Sequence, residues 1–363
     1  MLRDRLAVLI GRNGVGKSQL VQSLIEGLLR HSEARGWTSA EAAVLQGNPE
    51  FGRLIVMSSV ASDTYPKKIP AWSGLDYEYV SLIPQPREGE RKLLWILLDC
   101  LRDRAEHAFL YEGELIGRFD LLRLVLRRIG FWDDLCIPLL NTPFRTTDIF
   151  PMAQTIGGQR YVRLRQLNGE QRLLRVTALA SPQEEVVVLT DAGQIRRLSS
   201  GENAMVRFAV LAVSTIETAS LLVLEEPETY LHPNYVSQLM TILHELLEAT
   251  SSVAMVVTHS AYVVREATRQ RVNVLTRDEQ GTPVFVPTPI QTFGASIDSI
   301  SQFVFGDGAV PHQFRETLDR WLLANPDMTI ERLGSQYATE FTPETMSYLA
   351  GRLIEGTAPE VEG

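Results

Sequence analysis

A chain of 363 residues, 45% of them hydrophobic, has the material for a sizeable core and for two or three folding units. Its formal charge of −9, from 35 basic and 44 acidic residues, excludes a surface that is basic throughout, although a local basic patch stays open. Two cysteines, Cys100 and Cys136, are too few for a disulfide framework, and no apolar run approaches the roughly 18 residues of a membrane span. The first residues run directly into a strand with no room for a signal peptide, so the expectation is a soluble cytoplasmic protein with no membrane partner.

In chain order, the apolar run Leu6–Ile10 reads as a strand and Gln19–Arg30 as a helix, with Leu20, Val21, Leu24, Ile25, Leu28 and Leu29 on one face. Between them, Gly11-Arg12-Asn13-Gly14-Val15-Gly16-Lys17-Ser18 fits the phosphate-binding pattern G-x-x-x-x-G-K-[ST]. The chemistry needs those residue types. Backbone N–H groups must wrap phosphate oxygens, which side chains at the glycine positions would obstruct. Lys17 adds a point charge, Ser18 offers a hydroxyl to Mg²⁺, and the helix points its positive end at the anion. Arg12, Asn13, Gly14, Val15, Gly16, Lys17 and Ser18 are therefore the candidate contacts to a nucleoside triphosphate.

A polar stretch, His31–Glu50, precedes the apolar strand Leu54–Ser58, and breakers follow over Asp63–Trp72. Leu93–Leu101 and Leu121–Ile129 read as two short buried helices separated by Arg102–Arg118. Neither carries three heptads, so no long coiled coil is expected. Tyr161–Leu167, Leu173–Leu179 and Val186–Thr190 read as strands of a small antiparallel sheet, with turns at Gly169 and Asp191-Ala192-Gly193. The β/α texture then returns with a helix over Asn203–Thr218, a strand over Leu221–Leu224, a helix over Tyr235–Ala249 and a strand over Val253–Val257. Short all-apolar strands between helices imply a mainly parallel sheet covered on both faces. From Pro311 the chain reads as helical, ending in a frayed tail, Ala358–Gly363. The expected partition is an ATPase-type core over 1–62 and 197–310, an insert over 63–196 and a C-terminal helical segment over 311–363.

The strand Leu221–Leu224 ends in Glu225 and Glu226, and neighbouring strand residues point to opposite faces, so the two acids take two jobs. Glu225 is the candidate metal ligand and Glu226 the candidate general base. Aspartate is commoner at the first position; the extra methylene shifts the oxygens by about 1.5 Å and is expected to slow turnover. Leu198-Ser199-Ser200-Gly201-Glu202 is a serine-glycine turn aimed down a helix N-terminus, where Ser199 and Gly201 could receive an anion; a serine is equally an ordinary helix cap. Val256–Ser260 ends the next strand with His259. Arg123, Arg127, Arg128, Arg160, Arg163, Arg165, Arg172 and Arg175 leave contact with nucleic acid open, a solvated basic face being the alternative.

This order of motifs resembles the ABC-type ATPases of the SMC, RecF and OLD-like branch, and Glu226–Pro233 is similar to the "DEPE-x-x-LHP" stretch of that branch. Ser58–Pro66, Thr292–Ser296, Val304–Gly306 and Met328–Glu331 further resemble the ATPase subunits of Septu-type and retron-type anti-phage systems. The resemblance implies ATP and Mg²⁺ as ligands, with Lys17 and His259 at the γ-phosphate and Glu226 as catalytic base. It also implies that the Ser199–Gly201 turn of one copy completes the site of another in a homodimer or higher oligomer. A separate HNH-type nuclease or other toxic effector is the implied partner. The chain departs from the pattern by starting almost at the glycine loop, by lacking a recognisable glutamine after Leu54–Ser58, and by having no paired-aspartate motif after His259. A DNA-repair or chromosome-handling ATPase, and an ATP-binding scaffold with little turnover, stay as alternatives.

Overall fold

The computed structural model describes residues 5–31, 51–68, 75–83, 92–103, 108–141, 152–167, 169–181, 184–305, 313–337, 340–341 and 343–355. All but the first residue of the polar stretch read over His31–Glu50, and the tail Ala358–Gly363, lie outside these residues.

The chain opens with β1 (Leu6–Gly11), the glycine loop and α1 (Lys17–His31), followed by β2 (Arg53–Ser58) and β3 (Asp76–Ser81). Two helices, α2 (Leu93–Arg102) and α3 (Arg118–Arg128), bracket a hairpin of β4 (Phe109–Tyr111) and β5 (Glu114–Ile116). Next come β6 (Leu135–Leu139), β7 (Gln154–Ile156), β8 (Gln159–Arg163), α4 (Glu170–Leu179), β9 (Val187–Leu189) and β10 (Ile195–Arg196). A β/α run completes the core: α5 (Ser200–Thr215), β11 (Ser220–Glu225), α6 (Pro233–Ala249), β12 (Val253–Thr258), α7 (Ala261–Val264), β13 (Val272–Arg277) and β14 (Pro283–Val286). Four helices close the chain: α8 (Ile297–Phe305), α9 (Gln313–Ala324), α10 (Ile330–Gln336) and α11 (Pro343–Glu355).

Seven strands form the main sheet in the order β14-β13-β1-β12-β11-β2-β3, parallel throughout except for β14 at one edge. Every residue of β11 is buried. One face carries Leu9, Val223 and Val257 against Val21 and Ile25 of α1, and the alternate residues Leu222 and Leu224 are fully buried on the other. A strand covered on both sides needs apolar residues at every position, which is why these runs do not alternate. The register sets Glu225 level with Val257 of β12 and Ser58 of β2, and Ile10 level with Thr258. The carboxyl ends of β1, β11 and β12 therefore share one edge, the usual place for ligands in such sheets.

The second sheet is antiparallel, in the order β10-β9-β6-β8-β7. Three readings of the sequence need correction. The strand read over Tyr161–Leu167 ends at Arg163 and passes into a 3-10 turn, Leu164–Gln166. Leu173–Leu179 is helix, not strand: Leu173, Val176 and Ala180 are buried while Leu174 between them is exposed, a helical spacing inside a run dense in apolar residues. Asp76–Ser81, within the segment read as an insert, is an edge strand of the main sheet, paired with β2 over its whole length.

Two compact units divide between Ile300 and Ser301. In the second, α9, α10 and α11 bury Leu318, Leu333 and Leu349, with Trp321 edge-on to Tyr337 and Phe341. Arg352 Nε and Tyr348 hydroxyl both donate to Asp319, at 3.0 Å each. Among the described residues no helix is long and apolar enough to cross a membrane.

Gly11 packs closely on the neighbouring strand: a methyl group there would lie well inside contact distance of the Leu275 backbone carbonyl on β13. A backbone carbonyl in a ladder cannot swing aside as a side chain does. Gly11→Ala is therefore expected to cost about 1–3 kcal/mol, read as a lower denaturation midpoint with unchanged slope.

Candidate functional site

The glycine loop leaves β1 and turns back into α1 through two residues in the left-handed region, Gly14 at φ 75° and Gly16 at φ 107°. Only glycine adopts these angles without strain. Val15 between them is buried in the core cluster and anchors the loop from below. Arg277 on β13 clamps it from the side, donating to Gly14 O at 3.0 Å and Gly281 O at 2.5 Å. Arg12, Asn13 and Gly14 face outward. Lys17 is buried and donates to Gly11 O at 2.8 Å and Arg12 O at 3.2 Å, so its ammonium lies inside the curl of the loop. Burial lowers its pKa, against the pull of Glu226, Glu225 and Glu228.

The end of β11 supplies the carboxylates. Glu225 is 2% exposed, and both of its oxygens are held. Ser18 Oγ donates to Oε1 at 2.6 Å and Tyr65 hydroxyl donates to Oε2 at 2.5 Å. Burial raises its pKa and Glu226 adds to that, while the Ser18 and Tyr65 hydrogen bonds and Lys17 oppose it. The next residue, Glu226, has φ 46°, unusual for a residue with a side chain. Its N–H donates to Val257 O at 2.8 Å, Thr229 Oγ1 donates to its carbonyl at 2.9 Å, and its Oε1 lies 3.0 Å from His259 Nδ1. Strain of about 1–3 kcal/mol at a site persists only where the surroundings over-determine it. Here the turn aims Glu226 away from Glu225 and toward the half-exposed His259.

A third carboxyl group was not singled out as a site residue from sequence. Glu228 is 7% exposed; Thr258 Oγ1 donates to its Oε1, and its Oε2 has no hydrogen-bond partner. Burial raises its pKa above that of an ordinary glutamate. Tyr65 and Arg277 were also missed, because each reaches the site from a strand or loop remote in sequence. The only signals were the motif-like spacing of Glu226 and Glu228 and the presence of Tyr65 in the Ser58–Pro66 stretch.

The serine-glycine turn has a separate local logic. Ser199 caps α5 through a capping box: its N–H donates to Glu202 Oε2 at 2.8 Å and its Oγ accepts from Glu202 N at 3.4 Å. Arg196 grips both Glu202 oxygens, at 2.7 and 2.8 Å, and that contact first, with the Ser199 hydrogen bonds behind it, lowers the Glu202 pKa to about 2. Gly201 lies against the Tyr235 ring, which a methyl group would approach to 3.2 Å. The fold thus brings Lys17, Ser18, Glu225, Glu226 and His259 together. Ser199 and Gly201 make no described hydrogen bond to that cluster.

The donors fit a triphosphate with a divalent cation. Lys17 and the N–H groups of the loop would meet an anion, and Ser18 with Glu225 would offer a divalent cation a hydroxyl and a carboxylate. Among the described residues no group of three or more His, Cys, Asp or Glu side chains could hold a metal alone.

A family model described as "AAA domain, putative AbiEii toxin, Type IV TA system" matches residues 190–265, the span holding the Ser199 turn, both glutamates and His259. Protein ea59 of Escherichia phage lambda is 33% identical over 110 residues, covering 30% of this chain and 21% of that protein. The chain thus matches about a fifth of the length of that curated relative. Solved structures similar to it include the SMC head domain from Thermotoga maritima, at 15% identity and TM-score 0.31, covering 79% of this chain and 92% of that one. Another is CbiO1 from Clostridium perfringens, described as part of the ABC transporter complex CbiONQ, at 14% identity and TM-score 0.35, covering 90% and 86%. The glycine loop between β1 and α1, the parallel sheet and the motif order make this a P-loop NTPase fold.

The raised pKa of Glu228 makes stability depend on pH. Its proton is held to higher pH in the folded chain than in the unfolded one, so the stabilisation is full below the ordinary value of 4.5 and is lost as pH rises through the folded value. Glu228→Gln, which cannot ionise, is expected to flatten that loss. Denaturant midpoints measured from pH 4 upward check this; equal slopes for the two proteins would refute it.

Proposed function

We propose that this chain binds ATP with Mg²⁺ and hydrolyses it, and that two copies close around the nucleotide. The observation that carries the reading is the 2.6 Å hydrogen bond from Ser18 to Glu225, which joins the glycine loop to the end of β11 beside the Glu226–His259 pair. Loop N–H groups from Gly14 to Ser18 and the Lys17 ammonium hold the phosphates. Ser18 and Glu225 would hold Mg²⁺, which would supply neutralisation of charge on the phosphates. Glu226 takes the proton of the water that attacks the γ-phosphorus, and the bond to the bridging oxygen of ADP breaks. His259, 3.0 Å from Glu226, orients that carboxylate and would contact the γ-phosphate.

The Ser199–Gly201 turn makes no described hydrogen bond to the cluster in its own chain and opens α5, which supports its use by a second copy. Glu202 does not add free negative charge there, because Arg196 neutralises it. For the cellular role we infer regulation of an effector, a nuclease or other toxin, in bacterial anti-phage defence. The support is the toxin system in the matched family description and the phage protein among the relatives.

Glu226→Gln is expected to lower the rate of ATP hydrolysis about 10²–10⁴-fold while nucleotide binding is retained. Mass measurement with ATP should show the dimer persisting in that variant, and Lys17→Ala should lose binding itself. Unchanged hydrolysis in Glu226→Gln would refute the assignment of the base. Plating phage on bacteria that carry the chain with its chromosomal neighbours tests the defence role.

A further inference from the structure

We propose that Tyr65 is the positioning residue for the Mg²⁺-binding carboxylate, fixing the second oxygen of Glu225 so that a glutamate serves where the shorter aspartate is commoner. The inference rests on the nucleotide reading above. A glutamate has one torsion more than an aspartate, and an unrestrained carboxylate would sample several positions beside the glycine loop. Here it does not: Ser18 holds Oε1 at 2.6 Å and Tyr65 holds Oε2 at 2.5 Å. An aspartate at position 225 would draw the oxygens back by about 1.5 Å, stretching the Tyr65 contact to about 4 Å, beyond hydrogen bonding. The tyrosine and the longer acid therefore belong together.

Tyr65 is itself held in place. Its ring is 3% exposed, in the same core cluster as Val15, Val21 and Val223. The residues on either side are tied to two other elements, α1 and β3. Thr64 Oγ1 donates to Gln22 on α1 at 2.5 Å, Tyr77 hydroxyl on β3 donates to Pro66 O at 2.6 Å, and Tyr79 hydroxyl donates to Asp63 Oδ2 at 2.7 Å. Lys67 pairs with Asp63 and lies over the Tyr79 ring, 3.5 Å from its centroid. Burial works against the Asp63 charge, yet hydrogen bonds from Lys67, Ser58 and Tyr79 outweigh it and keep its pKa below the usual range. Both ends of the short segment around Tyr65 are thus anchored, one to the helix that follows the glycine loop and the other to the edge strand. A hydroxyl delivered this way is fixed before any ligand arrives, which is how a partner one step removed from a metal acts on its affinity.

The test is binding of a fluorescent ATP analogue, titrated with Mg²⁺ and repeated in EDTA, for the wild-type chain, Tyr65→Phe, Glu225→Asp and the double variant. Phenylalanine keeps the ring and removes only the hydroxyl. Tyr65→Phe is expected to raise the half-saturating Mg²⁺ concentration about 10–100-fold while binding in EDTA stays unchanged, and to lower the unfolding midpoint because a buried carboxylate oxygen loses its donor. Glu225→Asp should weaken Mg²⁺ dependence by a similar factor without touching Tyr65. In the aspartate background, removing the hydroxyl should shift Mg²⁺ dependence by less than about threefold, the non-additivity expected of two groups acting as one. Four results would overturn the inference: unchanged Mg²⁺ dependence in Tyr65→Phe, an equal shift in both backgrounds, a loss in EDTA as large as the loss with Mg²⁺, or full Mg²⁺ affinity in Glu225→Asp. A wild-type chain that binds no nucleotide would remove the ATP reading as well, whereas any of the four leaves that reading standing.

Discussion

The contact between Ser18 and Glu225 is the constraint around which the rest of the structure is arranged. It spans two strands that are not neighbours, because β12 stands between β1 and β11. Adjacent strands lie about 4.8 Å apart, so the two elements are separated by about 10 Å. Only a side chain at the strand end, turned along the sheet edge, can cover that distance. The parallel register supplies the rest: Glu225 is level with Val257, and Thr258 with Ile10, so the loop after β1 and the turn after β11 emerge on the same edge. A slip of one residue in either pairing would point Glu225 into the opposite face and leave Ser18 facing apolar side chains.

Charge is the second organising feature. Lys17 stands among three glutamates, and burial pushes Lys17, Glu225 and Glu228 toward their neutral forms. Such a cluster is poised for a ligand that carries both signs, a polyanion with its own cation, since each new charge finds an opposite one in place. The third glutamate, Glu226, escapes burial because of its left-handed backbone, which turns it to His259. Adjacent acids on one strand thereby acquire different surroundings, one dry and hydrogen-bonded, the other open to solvent. Perturbed titratable groups of this kind mark functional sites more often than structural ones.

Much of this was legible in the sequence because it is local. The glycine spacing requires a loop with positive φ, the apolar runs require a covered parallel sheet, and the order of Lys17, Ser199, Glu225 and His259 along the chain carries the family resemblance. Where local pattern was ambiguous, it misled. Leu173–Leu179 has strand-like density and a helical burial period, and the period prevailed because one side of α4 packs while Leu174 faces solvent. Asp76–Ser81 gave no clear signal, since an edge strand leaves most of its residues only partly buried and needs no apolar run. Glu202 read only as the last residue of the serine-glycine turn; in three dimensions it closes a capping box and pairs with Arg196, which periodicity could not show.

What the amino-acid order determined by itself is the set of groups and the kind of element each sits on: a phosphate loop between strand and helix, two acids at a strand end, a serine at a helix start. What only the tertiary structure decided is which groups meet. Tyr65 and Glu225 are 160 residues apart and Ser18 and Glu225 are 207 apart. Their contact depends on strand order and register, set by burial of whole sheet faces and not by any short stretch of sequence.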